Sequence, residues 1–279
     1  MFLLLLTVTA CKPQVGNQPS GEQEQAATPS QGEIAKDDQK TNLPVYYVKI
    51  TADDAYLVRE VHQVPYTKEV IKAALEELIN TNPVTPGAVR VLPAGTKIRG
   101  ISVQDGLATV DFSRDVLRAN VGASGEELGI QSIINTVTEF PGVQKVSFLV
   151  EGTVDQEAKN WWGHVGLYSQ PFARDVAKVY EPAIWLTSPA PDQVVASPLE
   201  VRGSARVFEA TVSARLLDDS GKELASGFAT AAQGAPGRGD FVLPLKYQVN
   251  SPGKGKVEVY WKSPKDGKEM DKVVIPVAW

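Results

Sequence analysis

The chain has 279 residues, 43% of them hydrophobic, and a formal charge of −5. That length supports two ordinary domains with separate cores, and the thinly spread acidity excludes the basic stripe that a nucleic-acid partner requires. The single cysteine, Cys11, excludes an intrachain disulfide and a two-cysteine metal site.

Residues 1–11 (MFLLLLTVTAC) form an apolar run that ends in small residues and Cys11. It is too short to span a bilayer, which takes about 20 apolar residues, and it reads as the hydrophobic part of a secretory signal. Val8-Thr9-Ala10-Cys11 resembles the bacterial lipobox, which implies that Cys11 becomes a lipidated first residue and anchors the protein to a membrane from the extracytoplasmic side. Residues 12–43 are rich in Gln, Pro, Ser, Gly, Glu and Lys. Such a segment cannot offset its ordering entropy and is expected to be a disordered linker, long enough to hold a domain roughly 30 Å from the surface.

A first domain is expected over 44–178. Residues 44–50 and 56–64 read as strands. Thr67 is placed to cap a helix over 68–80, with Ile71, Ala74, Leu75 and Leu78 on one face and Lys72, Glu76 and Glu77 on the other. The stretch 98–113 (IRGISVQDGLATVDFS) then carries Asp105-Gly106, a two-residue type I′ hairpin signal, between strand-forming runs. That turn sets the register: Val103 opposite Ala108, Ile101 opposite Val110, Arg99 opposite Phe112. One face is apolar and needs a cover. Ser124 and Glu127 form a capping box for a second helix whose stripe is Ile130, Ile133, Ile134 and Val137. Residues 143–150 give another strand. The order predicts an α+β two-layer domain, a mixed sheet with two helices on one face.

Residues 179–279 change character. Seven short segments with alternating hydrophobicity (184–187, 199–205, 210–217, 223–228, 240–249, 256–261 and 273–277) recur between turn signals such as Asp266-Gly267. They predict an all-β immunoglobulin-like sandwich.

Several segments together carry a resemblance to a known family. In the first domain these are the hairpin end Ala108-Thr109-Val110-Asp111-Phe112-Ser113, the helix after Gly125, Gly163-His164-Val165 and Pro171-Phe172-Ala173-Arg174. Their order and spacing resemble the GerMN domain of sporulation and spore-germination lipoproteins. Ser197-Pro198-Leu199, Gly203-Ser204-Ala205, Val207-Phe208-Glu209-Ala210 and Ser263-Pro264-Lys265-Asp266-Gly267 resemble the immunoglobulin-like domain that often follows it. The likeness implies a non-catalytic scaffold or protein-binding role, with envelope or sporulation proteins as partners.

Motifs for bond-breaking chemistry are absent from the sequence. There is no HExxH, GxSxG, P-loop or GxGxxG, so no catalytic residue, cofactor or metal is expected. The acidic pairs, such as Glu76-Glu77 and Glu126-Glu127, are adjacent on solvated faces and do not give the facing carboxylates of a glycosidase. Of the two histidines, His62 reads as a surface or edge residue. His164 falls in an aromatic segment with Trp161, Trp162, Tyr168 and Phe172. These five form the candidate binding surface, for a protein or, as the alternative, for peptidoglycan. The competing reading is that the aromatics wedge the domains together or cap a sheet edge.

Overall fold

Val45, Tyr46, Tyr47 and Val48 are consecutive and all fully buried, as is Leu43. A strand buried at consecutive positions is covered on both faces, and this strand, β1 (Lys40–Ile50), is the axis of the first domain in the computed structural model. The structure describes residues 39–118, 122–161 and 166–279, together with the backbone but not the side chains of 123 and 124. The signal segment, Cys11, Trp162 and His164 lie outside the described residues. β1 begins four residues earlier than expected. Residues 40–43, assigned to the linker by composition, pair with β2 (Ala55–Pro65), and Leu43 enters the core.

Helix α1 (Val70–Asn80) buries Ala74, Leu75, Leu78 and Ile79. It starts later than Thr67 implied. Thr67 Oγ1 accepts from the Glu69 amide at 3.0 Å, forming a local turn instead of a cap, and Glu69 takes the cap position without a side-chain bond. A short β3 (Ala88–Val89) then pairs with β1.

The hairpin forms as expected. β4 (Ile98–Gln104) and β5 (Leu107–Phe112) flank Asp105 and Gly106, whose φ values of 49° and 81° are those of a type I′ turn. Gln104↔Leu107, Val103↔Ala108, Ser102↔Thr109, Ile101↔Val110 and Gly100↔Asp111 all pair in the predicted register. The prediction fails at Arg99. A bulge puts Ile98 opposite Phe112 and frees Arg99 to meet Asp111 and Glu151, because a guanidinium opposite a buried ring would lose its solvation. The apolar row is also less covered than expected. Ala108, Val110 and Phe112 are fully buried, but Val103 is 44% exposed, since β4 is a sheet edge.

Helix α2 (Gly122–Val137) starts two residues before the expected capping serine, Ser124, whose side chain is outside the described set. Ile130, Ile133, Ile134 and Val137 are buried as predicted. α2 connects β5 to a parallel β6 (Lys145–Val150), which is followed by α3 (Gln156–Lys159), β7 (Phe172–Ala173) and β8 (Val179–Glu181). The domain is α+β, and its strands divide between two sheets, β3-β1-β2-β8 and β4-β5-β6-β7, that share one core with both helices. β8 runs parallel to β2 and Val179 is buried in this core, so residues 179–181 belong here and not to the sandwich.

The second domain is all β with its own core. One sheet is β14 (Gly239–Leu245), β11 (Leu199–Ala205) and β9 (Ile184–Ser188). The other is β10 (Gln193–Val194), β16 (Glu269–Ala278), β15 (Lys254–Lys262), β12 (Thr211–Asp218) and β13 (Glu223–Thr230). Val212, Ala214 and Leu216 point inward as their alternation predicted. No helix among the described residues is long and apolar enough to cross a membrane.

Candidate functional site

Of the described members of the aromatic segment, Trp161 does not lie on the surface that its composition indicated. Trp161 is 1% exposed and lies among Phe112 and Phe148, with ring centroids 6.0 and 5.5 Å away in edge-on geometry. It is a core side chain, because α3 turns it back under the second sheet. Asp155 caps α3 by accepting from the Ala158 amide at 2.9 Å. Gly166 then turns at φ +57°, where a Cβ would stand 2.2 Å from the Lys159 carbonyl oxygen, so only glycine fits. Phe172 is half-buried in β7 and packs on Phe148 at 6.0 Å. Tyr168 alone among the described members is exposed, its hydroxyl accepting from Gln156 Nε2 at 2.9 Å and donating to Asn160 Oδ1 at 2.5 Å. The structure thus brings Trp161 and Phe172 into the first core and leaves Tyr168 outside it.

The wedge between the domains is a different tryptophan. Trp185 lies in β9 of the sandwich next to Ile184, which is buried in the sandwich core, while Trp185 packs on the core of the first domain. Successive residues of a strand face opposite ways, so one strand serves both cores. Three guanidinium carbons surround the Trp185 ring, Arg59 at 4.4 Å, Arg238 at 5.2 Å and Arg174 at 5.8 Å. Tyr46 of β1 meets it edge-on at 6.3 Å. The sequence held a signal for this: in Ile184-Trp185-Leu186-Thr187, a large aromatic takes the solvent side of an alternating strand, which is unusual unless something covers it.

One carboxylate organises the charges on the side of the first domain. Glu139, just past α2, accepts from the Tyr46 hydroxyl at 2.5 Å, from Arg59 at 3.2 Å and from Arg174. Burial opposes its ionisation, but Arg59 and Arg174 outweigh that and hold it below the usual carboxylate range. The Tyr46 hydroxyl is held well above its ordinary value by burial and by Glu139. On the sandwich side, Arg238 is only 9% exposed. Its guanidinium donates to the carbonyl oxygens of Val179, Pro182, Ala183 and Ser204 and to Ser204 Oγ. Burial, with Arg206 and Arg59 nearby, lowers its pKa to about 10.

His62 is not the plain surface residue expected. Its Nδ1 lies 2.7 Å from Glu77 Oε2 and its Nε2 2.9 Å from Glu60 Oε2, and its ring stacks on Tyr47 at 5.7 Å. Glu60 also accepts the amides of Val84 and Thr85 at 2.9 and 2.8 Å. The group ties β2, α1 and the following loop together.

Comparison with known proteins matches both domains. Residues 44–156 fit the family model described as sporulation and spore germination, and residues 183–268 the one described as the immunoglobulin-like domain of bacterial spore germination. The spore germination protein GerM of Bacillus subtilis (strain 168) is 30% identical over 124 residues, 43% of this chain and 33% of that protein. The chain therefore spans about a third of the length of the curated relative it matches. Among solved structures, the tandem GerMN domains of B. subtilis GerM are 24% identical over 53% of this chain and 49% of that one, with a TM-score of 0.41. The first GerMN domain alone is 25% identical over 48% and 98%, with a TM-score of 0.40.

Proposed function

We propose that this GerM-like chain, a sporulation and spore germination domain followed by the immunoglobulin-like domain of bacterial spore germination, works as a non-catalytic scaffold or protein-binding module in sporulation, germination or envelope assembly. The observation that carries the reading is the pairing of these two domains in one chain, with Trp185 of the sandwich seated on the first core. Both family descriptions name a developmental process and neither names a reaction. Cys11, at the end of the apolar segment, holds the protein to the membrane by lipidation, and its partners are envelope or sporulation proteins. Peptidoglycan is the alternative ligand; Trp161, inside the core, presents no ring face to a sugar.

Two measurements test this reading. In the native host, wild-type chain sediments with membranes and Cys11→Ala is released; equal retention of the variant rejects the anchor. Site-directed photocrosslinking on living cells gives a discrete adduct with an envelope protein. Absence of any adduct from positions across both domains rejects the scaffold.

A further inference from the structure

The solvent face of the three-stranded sheet β14-β11-β9 forms the floor of a groove of about 690 Å³ at the domain junction. Strand pairing puts Trp185 beside Ser204, Ser204 beside Asp240, and Arg202 beside Val242. Arg238 lines the same groove, and Arg174 from the first domain closes one end. Two of the three arginines already have counter-charges, Arg174 in Glu139 and Arg202 in Glu200. Arg238 has none among the described residues. Its bonds all go to neutral oxygens, and its charged neighbours Arg59 and Arg206 repel it. Those carbonyls and the Trp185 face satisfy most of its N–H groups but leave its positive charge unneutralised, so a carboxylate or phosphate entering the groove gains from it. Among the described residues, Asp240 is the only acid lining the groove, and it sits on the exposed side of β14.

We propose that this groove binds a short acidic segment of a partner protein, with a carboxylate set against Arg238 and Arg202 and an apolar neighbour against the half-exposed Val242. The proposal rests on the scaffold reading above and gives that scaffold a specific contact. Arginine and tryptophan around a concave centre, with an aliphatic side chain beside them, is the composition of a protein-binding hot spot. A long polyanion fits less well. Phosphates running beyond the groove, farther than the Debye length of about 8 Å, would gain nothing from the three arginines.

The test uses the purified full chain and fluorescence anisotropy with two labelled hexapeptides, alternating Glu-Leu and alternating Lys-Leu. The acidic peptide is expected to bind at least ten-fold more tightly than the basic one and to weaken as salt rises. Arg202 is half-exposed, so Arg202→Glu keeps the fold, checked by an unchanged melting curve, and is expected to weaken the acidic peptide at least five-fold. Equal binding of both peptides, or an acidic-peptide affinity unmoved by Arg202→Glu, overturns the proposal. So does displacement of the peptide by inorganic phosphate at matched charge, which marks a small-anion site. If these arms fail while the cellular crosslink persists, the groove is wrong and the scaffold stands; if the crosslink is absent as well, the scaffold falls with it.

Discussion

Removing the Trp185 side chain should uncouple the two domains. The ring is partly buried against the first core, meets Tyr46 edge-on and is flanked by three guanidinium carbons within 5.8 Å. Truncating a fully buried Trp to Ala costs about 3–5 kcal/mol, so half burial gives about 2 kcal/mol. The arginines share one ring and cannot contribute independently; together they add about 1–2 kcal/mol. Trp185→Ala should therefore remove about 3–4 kcal/mol, nearly all of it from the contact between the domains, since Ile184 and the sandwich core stay in place. Urea unfolding followed by far-UV circular dichroism and by tryptophan fluorescence is the assay. The wild type should give one coincident transition and Trp185→Ala two, with the earlier midpoint about 1 M lower at a slope of about 3 kcal/mol/M. Trp185→Phe, which keeps an aromatic ring, should fall between them. A single transition with an unchanged midpoint in Trp185→Ala would refute the assignment of this ring as the coupling element.

Two further outcomes follow from the same geometry. Val110 is fully buried at the centre of its sheet and Val103 is 44% exposed on the edge strand, so Val110→Asp should abolish the cooperative melt by burying an unpaired carboxylate, at a cost above about 4 kcal/mol, while Val103→Asp should cost under about 1 kcal/mol; comparable melting temperatures for the two variants would contradict the burial assigned to this row. Burial alone would lower the pKa of His62, but its bonds with Glu60 and Glu77 outweigh that and raise it above 6.5, so its contribution is complete below pH 6.5 and fades as pH rises through the raised value. Glu60, also desolvated but held down by His62 and the amides of Val84 and Thr85, contributes above pH 4.5 and loses its effect as pH falls below that. The clasp is thus strongest between about pH 4.5 and 6.5, and the wild-type urea midpoint should drop from pH 6 to pH 8.5 more than that of His62→Gln; equal drops would show that the clasp does not titrate.

The local chemistry of the sequence determined the elements and much of their pairing. Asp105-Gly106 forms its turn and carries five strand pairs into register, and the alternation of Val212, Ala214 and Leu216 appears directly as burial. The stripes of α1 and α2 are buried where their spacing placed them. Turn geometry, strand period and helix period act over two to four residues, so neighbours in sequence suffice to set them. The tertiary structure alone decided what lies far along the chain. Tyr46, Glu139 and Arg174 meet across separations of 93 and 128 residues, and Arg238 reaches back to Val179. The local pattern marks Trp185 as an aromatic on the solvent side of its strand, but it does not say that the first domain covers this ring or that Trp161 enters the core. Both are aromatic residues beside apolar ones, and only the packing of distant strands decides which face each ring finds. The same holds for His62, whose partners come from its own strand, from α1 and, through Glu60, from the loop beyond it. Charge and burial at such points depend on the completed fold, because they are properties of the whole set of neighbours and not of the residue that carries them.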